Sequence, residues 1–283
     1  MKLTLSFVAG LAFALGACAT TKPAAPTQPT PGATAAADGI RFPLPRPKVG
    51  DAVTETEERS MVMTIEVSPT RRVDLMSRDR WTVRNEVVAL DGTIVAKVKV
   101  RYLTVTAQET VDGTSRAKPT PTAGKTYLVW REGGELEVSY EDGSAPSAAE
   151  IEEVRKGNRS VGRPAAVEQI IAARAWKVGE TFALSPAQLV EVNQGFGYDG
   201  DESLTSMTLT LHSVDDSVAT LAMSMGMAMQ GEDGGELTAE LAGTISLDRA
   251  TGRLLDVGGT GPFSGFVTVK MVGTMSTKST YTY

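Results

Sequence analysis

The sequence predicts an α+β protein that is mostly β: a large curved antiparallel sheet, half-barrel or sandwich-like, with two or three helices inserted in the middle of the chain. Three observations point there. Apolar and polar residues alternate with period 2 over most of the chain beyond residue 40. The alternating runs are broken by turn residues such as Asp91-Gly92 and Gly133-Gly134. Helix-start signals are confined to the middle, and strands in long runs with helices grouped between them indicate antiparallel sheet.

The elements follow in order. Lys48-Val49-Gly50-Asp51 opens the first β run. A hairpin from Trp81 to Tyr102 folds about Asp91-Gly92, a pair that suits a two-residue type I′ turn. That register sets Leu90 opposite Thr93, Val83 opposite Val100 and Trp81 opposite Tyr102. The other face of the return strand carries Lys97, Lys99 and Arg101, so this sheet is expected to have one wet side. A second hairpin, Tyr127 to Tyr140, turns about Glu132-Gly133-Gly134-Glu135 and pairs Val129 with Val138 and Tyr127 with Tyr140. Ser147 with Glu150 forms a capping box that opens a helix to about Lys156. Arg163 to Ala173 is a second helix, with Val167, Ile170 and Ile171 on one face. Ser185-Pro186 opens a third, short one through Leu189 and Val190.

A third hairpin spans Met207 to Ala228 about Val214-Asp215-Asp216. A two-residue turn would set Leu209 against Ala222. A three-residue loop sets Leu209 against Leu221 and Met207 against Met223, which keeps one face apolar, and is preferred. Leu237 to Leu247 returns beside it, Asp248–Gly252 turns the chain into Leu254–Val257, and a long last strand runs from Phe266 to Met275. Lys177-Val178-Gly179-Glu180 opens the second β run as Lys48–Asp51 opens the first. The domain at 40–283 therefore divides into two halves, 40–143 and 176–283, joined by a helical segment at 144–175. Common turn chemistry gives the same four-residue match without duplication.

The N-terminus bears on location. Met1-Lys2 leads into an apolar run from Leu3 to Leu15, the layout of a secretory signal. It is shorter than the roughly 20 residues a spanning helix needs. The run ends in Leu15-Gly16-Ala17-Cys18, at the chain's single cysteine. This resembles the lipobox of bacterial lipoproteins. The resemblance implies a signal peptide at 1–17, acyl chains on Cys18 as a lasting membrane anchor, and an envelope location. Ala19 instead of Asp after the cysteine implies the outer membrane, periplasmic face. From Ala19 to Gly39 the chain is Ala, Thr, Pro, Gln and Lys without aromatic residues, so 18–39 reads as a lipidated, disordered tether. The folded part resembles envelope lipoproteins of unknown function. In layout it is similar to the open half-barrel carriers of the LolA and LolB kind.

Composition excludes some roles. Without Lys2 the mature chain holds 27 of the 28 Lys and Arg against 34 Asp and Glu, a net charge near −7, which disfavours nucleic acid. One histidine, His212, argues against His-rich zinc sites, and no cofactor is expected.

Three readings compete for Met223, Met225, Met227 and Met229, which share one face of a strand. The face can be plain core, which is favoured since methionine fills irregular spaces. With Met207 and Leu241 it can be the wall of a groove for a lipid or other apolar ligand. It can also hold Cu(I), although its neighbours are aliphatic and His212 has the opposite parity. Asp199, Asp201, Glu232 and Asp233 are calcium candidates in two acidic loops, but their spacing is not that of an EF-hand and solvated turns explain them. Ser115 and Lys118 match S-x-x-K in a Thr- and Pro-rich loop, a chance match. Thr280 to Tyr283 is similar to the aromatic end of outer-membrane barrels but reads as an ordinary last strand. The expectation is a non-catalytic lipoprotein that binds an apolar ligand. Its alternative is a protein-binding or scaffolding role in envelope assembly, and a hydrolase ranks third.

Overall fold

The computed structural model describes residues 39–198, 202–230, 235–267 and 269–283. Along the chain run β1 (Ile40–Arg41), β2 (Ala52–Ser68), β3 (Arg71–Asp91), β4 (Ile94–Val111), β5 (Thr114–Ala117), β6 (Thr126–Glu132) and β7 (Glu135–Ser139). The helices α1 (Ala148–Gly157) and α2 (Ala166–Ala172) follow, then β8 (Ala175–Trp176), β9 (Thr181–Ala183) and α3 (Pro186–Phe196). The chain closes with β10 (Glu202–Val214), β11 (Val218–Gln230), β12 (Glu236–Asp248), β13 (Leu254–Val267) and β14 (Val269–Thr282). Twelve strands form one antiparallel sheet that does not close into a barrel. Its order is β7-β6-β4-β3-β2-β14-β13-β12-β11-β10-β9, with β5 on β4. Two meanders thus meet where the last strand pairs with the first long one.

The sheet must curl, and one residue demonstrates it. The Arg159 carbonyl accepts a hydrogen bond from Arg131 Nη2 of β6 at 2.9 Å, while the Arg159 guanidinium pairs with Glu202 of β10. Those two strands lie eight spacings apart in the sheet. In a flat sheet at 4.7–4.9 Å per strand they would be about 38 Å apart. The helical segment therefore fills the concave side and touches both ends of the sheet.

Local chemistry makes that plug. Ser147 and Glu150 form the expected capping box on α1. The Glu150 carboxylate also accepts from Tyr127 (2.7 Å), Tyr140 (2.6 Å) and Lys125 (2.9 Å), which fixes α1 to β6 and to Tyr140 just beyond β7. Ser185 caps α3 with Gln188, and α3 runs to Phe196, beyond the short helix expected. Two close approaches seat the segment between α1 and α2. A Cβ on Gly162 (φ +75°) would lie 2.9 Å from Arg131 Cβ, and one on Gly197 (φ +73°) would lie 2.8 Å from Arg159 Cβ. Only glycine fits such positions without strain.

Two cores result. The larger lies between β9–β14, the near part of β2, and the helices α2 and α3; the smaller lies between β3, β4, β6, β7 and α1.

The expected faces are present, but the first and third hairpins are shifted by two residues, and Trp81 faces Val105, three residues beyond the expected Tyr102. Val83 faces Tyr102, not Val100, and the reversal is at Gly92-Thr93. Val129 faces Val138 as expected, and the Tyr127 and Tyr140 rings stack at 5.4 Å. In the third hairpin Leu209 faces Met223 and Met207 faces Met225. Val214 faces Ala219, so four residues, Asp215 to Val218, separate the paired ends, and a bulge at His212 restores the parity that this even number would break. The expected strand Phe266–Met275 is corrected: the chain reverses there, with Val267 opposite Val269, so its two ends belong to β13 and β14. The two similar turns share one device. Gly50 N donates to Val87 O and Val87 N to Asp51 O, as Gly179 N donates to Leu211 O and Leu211 N to Glu180 O.

Arg131 supplies charged donors to the carbonyls of Val161, Arg159 and Gly134. Arg131→Ala is expected to cost about 2 kcal/mol in urea unfolding, since the part-buried carbonyls of Val161 and Arg159 lose their charged donor. Arg131→Lys should recover less than half of that. A loss below about 0.5 kcal/mol, the range of ordinary surface changes, would contradict the bridging role.

Candidate functional site

The boundary between the two cores is polar. On β2 the inner face reads Val53, Glu55, Glu57, Arg59, Met61, Met63, Ile65, so three charged residues interrupt an apolar row. Glu57 and Arg59 pair at 2.5 Å, and the Arg59 guanidinium lies 4.5 Å from the centre of the Trp81 ring. Thr277 of β14 adds a hydroxyl at 3.4 Å from Glu57. Glu55 is compensated less, with no ion pair of its own. Its strand partners are Val83 and Tyr281, and its Oε1 is buried without a hydrogen-bond partner. The Tyr281 and Ser279 hydroxyls lie beside the carboxyl and favour its charged form, but Glu55 Oε1 and the Tyr281 hydroxyl are both buried without a hydrogen-bond partner. The same holds for Asn85 Oδ1, one step along β3 on the same face. An unpaired buried polar group normally costs about 1–3 kcal/mol, so each calls for an explanation.

Glu55 and Asn85 line a cavity of about 60 Å³ under the helical plug. The plug contributes Asn158, Ser160, Pro164 and Glu168; Leu44 and Pro45 before β2 and Thr93 to Val95 at the β3–β4 turn complete the wall. Glu168 on α2 is only 6% exposed and has no ion-pair partner among the described residues. Arg163 also lines the cavity, but its Nη1 donates to the Gln194 carbonyl at 2.7 Å.

Burial dominates the protonation of both acids. It pushes Glu55 up to about 8 from an ordinary 4.5, helped by the neighbouring Glu57 carboxylate and opposed by Tyr281, Ser279 and Arg59. Burial pushes Glu168 to about 7. Both are thus largely protonated in mildly acidic solution. Glu150 goes the other way: hydrogen bonds from Ser147, Tyr140, Tyr127 and Lys125 hold it well below the usual carboxylate range.

The residues singled out from the sequence lie elsewhere. Met207, Met223, Met225, Met227 and Leu241 are buried in the larger core, and Met229 packs at its margin. They line neither that cavity nor an open trough across β14 and β2–β4 around Arg78 and Arg80. The same core takes Val167 and Ile171 from α2 and Val192 and Phe196 from α3. Asp199, Asp201, Glu232, Asp233 and Cys18 lie outside the described residues. No group of three or more His, Cys, Asp or Glu placed to hold a metal occurs among the described residues. Lys97 stacks on Trp130 at 4.4 Å, Lys99 pairs with Glu86 at 3.1 Å, and Arg101 is exposed. Ser115 bonds Thr110, whereas Lys118 reaches Asp79 at 3.2 Å, so the S-x-x-K pair is not assembled.

No family model matches the chain, and no curated protein matches it. Three solved structures are reported for their overlap. DynF from the dynemicin biosynthesis pathway of Micromonospora chersina is 7% identical, with 92% of each chain covered and a TM-score of 0.22. The S-type phycobiliprotein lyase CPES from Guillardia theta is 8% identical, covering 83% of this chain and 89% of that one, at 0.16. The outer membrane protein opdK from Pseudomonas aeruginosa is 10% identical, covering 80% and 66%, at 0.17. Similarity at these TM-scores carries no argument about function.

Two outcomes follow from this geometry. Below pH 4.5 the folded and unfolded states both hold the Glu55 proton. Above it the unfolded chain ionises freely while the folded state keeps the proton until about 8. Stability from this group is therefore full at low pH and lost as pH rises through that window. Glu55→Gln should flatten the fall in Tm between pH 5 and 8 and raise Tm at pH 8 by roughly 5 °C; an unchanged profile would show Glu55 to be ionised already. Met225→Ala should cost roughly 2–5 kcal/mol in chemical denaturation, as a core truncation does. A cost well under 1 kcal/mol would return Met225 to a groove.

Proposed function

We propose that the chain is a lipid-anchored protein of the bacterial envelope, on the periplasmic face of the outer membrane, whose β domain is a non-catalytic binding module. The ligand sits in the cavity between the two cores, not on the methionine row. The single observation that carries this reading is the Glu55 carboxylate oxygen, buried, unpartnered and at the wall of a cavity. Concave sites with a few convergent polar groups are where small ligands bind. The anchor rests on Leu15-Gly16-Ala17-Cys18 and on the tether behind it.

A hydrolase is the second reading, and one feature favours it: two carboxyl groups with raised protonation, Glu55 and Glu168, share one cavity. An apolar ligand on the methionine face would require α2 and α3 to leave the core. A partner protein in envelope assembly would instead use the outer face, where Val62, Val272 and Phe266 are exposed.

Expressed in a bacterial envelope, the protein should fractionate with membranes, and Cys18→Ser should release it to the soluble fraction; equal membrane association of both would contradict the acyl anchor. The full chain, extracted in mild detergent and weighed by native mass spectrometry, should carry a small ligand that Glu55→Gln loses. A protein that stays bare after incubation with envelope extract would contradict the binding role.

A further inference from the structure

Donors line one part of the cavity wall, with Asn158, Ser160 and Arg163, but the two unpartnered polar atoms of Glu55 and Asn85 are of one kind. Glu55 Oε1 and Asn85 Oδ1 are acceptors, and neither has a donor. Glu168 brings a second carboxyl from α2. The nearby cations are engaged elsewhere: Arg59 pairs with Glu57, and Arg163 donates to Gln194. Two unpartnered acceptors beside a pair of carboxyl groups that can give up a proton fit a ligand that brings donors and positive charge. Size narrows it further. A water needs roughly 10–15 Å³ of such space, so about 60 Å³ admits a small head group and not an acyl chain.

We propose that this cavity binds a small organic cation with N–H donors, an ammonium or guanidinium head, held between Glu55 and Glu168 with Asn85 Oδ1 accepting a hydrogen bond. The proposal rests on the reading of the cavity as the ligand site. Charge balance shapes the event. A bare carboxylate in this position would be costly, so the empty cavity holds its acids protonated. When the cation enters, one carboxyl O–H breaks, its electron pair stays on the carboxylate, and the proton leaves to solvent. The net charge of the cavity is unchanged. The groups that face Glu55 and set this balance are Glu57 and Arg59 on its own strand and Ser279 and Tyr281 on β14. Tyr102 on β4 also senses the Glu55 charge. At Glu168 burial is opposed by its own backbone N–H, and Arg163 shares the cavity wall.

The test is titration calorimetry of the full lipidated protein in detergent micelles at pH 7. The probes are guanidinium and methylammonium, with urea as the neutral isostere of guanidinium and sodium as the ionic control. The expected result is saturable binding of at least one organic cation, with a heat that varies with the ionisation enthalpy of the buffer and so reports proton release. Glu55→Gln keeps the shape and removes the charge, and its fold is read from its melting curve. It should weaken binding by about tenfold or more and abolish the proton release. Urea binding as well as guanidinium would overturn the cation while leaving the cavity as a ligand site. A folded wild-type protein that binds none of the probes, or a Glu55→Gln protein that binds as before, would overturn the proposal. The mass-spectrometric test of the envelope-derived ligand then decides the broader reading separately.

Discussion

The segment of residues 158–162 holds both ends of the sheet at once, by its backbone on one side and the Arg159 side chain on the other, and the rolled shape of the sheet depends on that contact. Arg131 reaches it from β6 with two charged hydrogen bonds, to the Val161 and Arg159 carbonyls, and Glu202 reaches the Arg159 side chain from β10. The Gly162 amide donates to the Val95 carbonyl at 2.9 Å, adding the β3–β4 turn. A twelve-stranded antiparallel sheet left open has no reason to stay rolled, since twist alone does not bring distant strands together. The helical plug supplies that reason. It also divides the interior, because α1 serves one core while α2 and α3 serve the other.

Where the two cores meet, neither covers β2 with apolar side chains alone, and acids occupy the gap. The molecule treats its buried acids in two ways. Glu150 receives five hydrogen bonds, counting Ser147 N and Oγ, and is stabilised as an anion. That contribution is present above the usual carboxylate range and fades as pH falls through it. Glu55 lacks that shell and responds in the opposite sense. One acid is built to hold a helix on a sheet. The other is left unsatisfied next to empty space, an arrangement that lowers stability unless something fills the site. That contrast within one molecule is why function is sought at Glu55 and not at Glu150.

Much of the fold was legible because faces follow parity. The period-2 pattern placed Val83, Val129, Leu209 and Leu221 on buried faces, and the Ser147–Glu150 box marked α1. Registers were less legible. The bulge at His212 adds a single residue that no turn pattern announces, and it moves the partners of β10 from Leu211 back toward the start of the strand. The reversal after Val267 was read through because Phe266, Val267, Val269 and Met271 continue the alternation without a strong turn signal beforehand. The acids of β2 were missed for a related reason. Charged residues in a strand are assigned outward by default, although Glu55 and Glu57 share the parity of Val53 and Met63. That shared parity was the available signal. The fate of the methionine row depended on which helices cover it, a long-range matter that strand periodicity does not encode.

The central claim is that Glu55 carries a proton in the folded protein because it is buried and unpaired at a cavity. The most direct measurement is the side-chain carboxyl carbon shift of Glu55 followed by NMR through pH 4 to 9, assigned with Glu55→Gln. The account predicts a single titration near 8, well above the ordinary carboxylate range. It also predicts that a bound organic cation moves that titration downward. Titration near 4.5 in the empty protein would show a solvated or paired carboxylate. The cavity would then lose its claim to be the functional site.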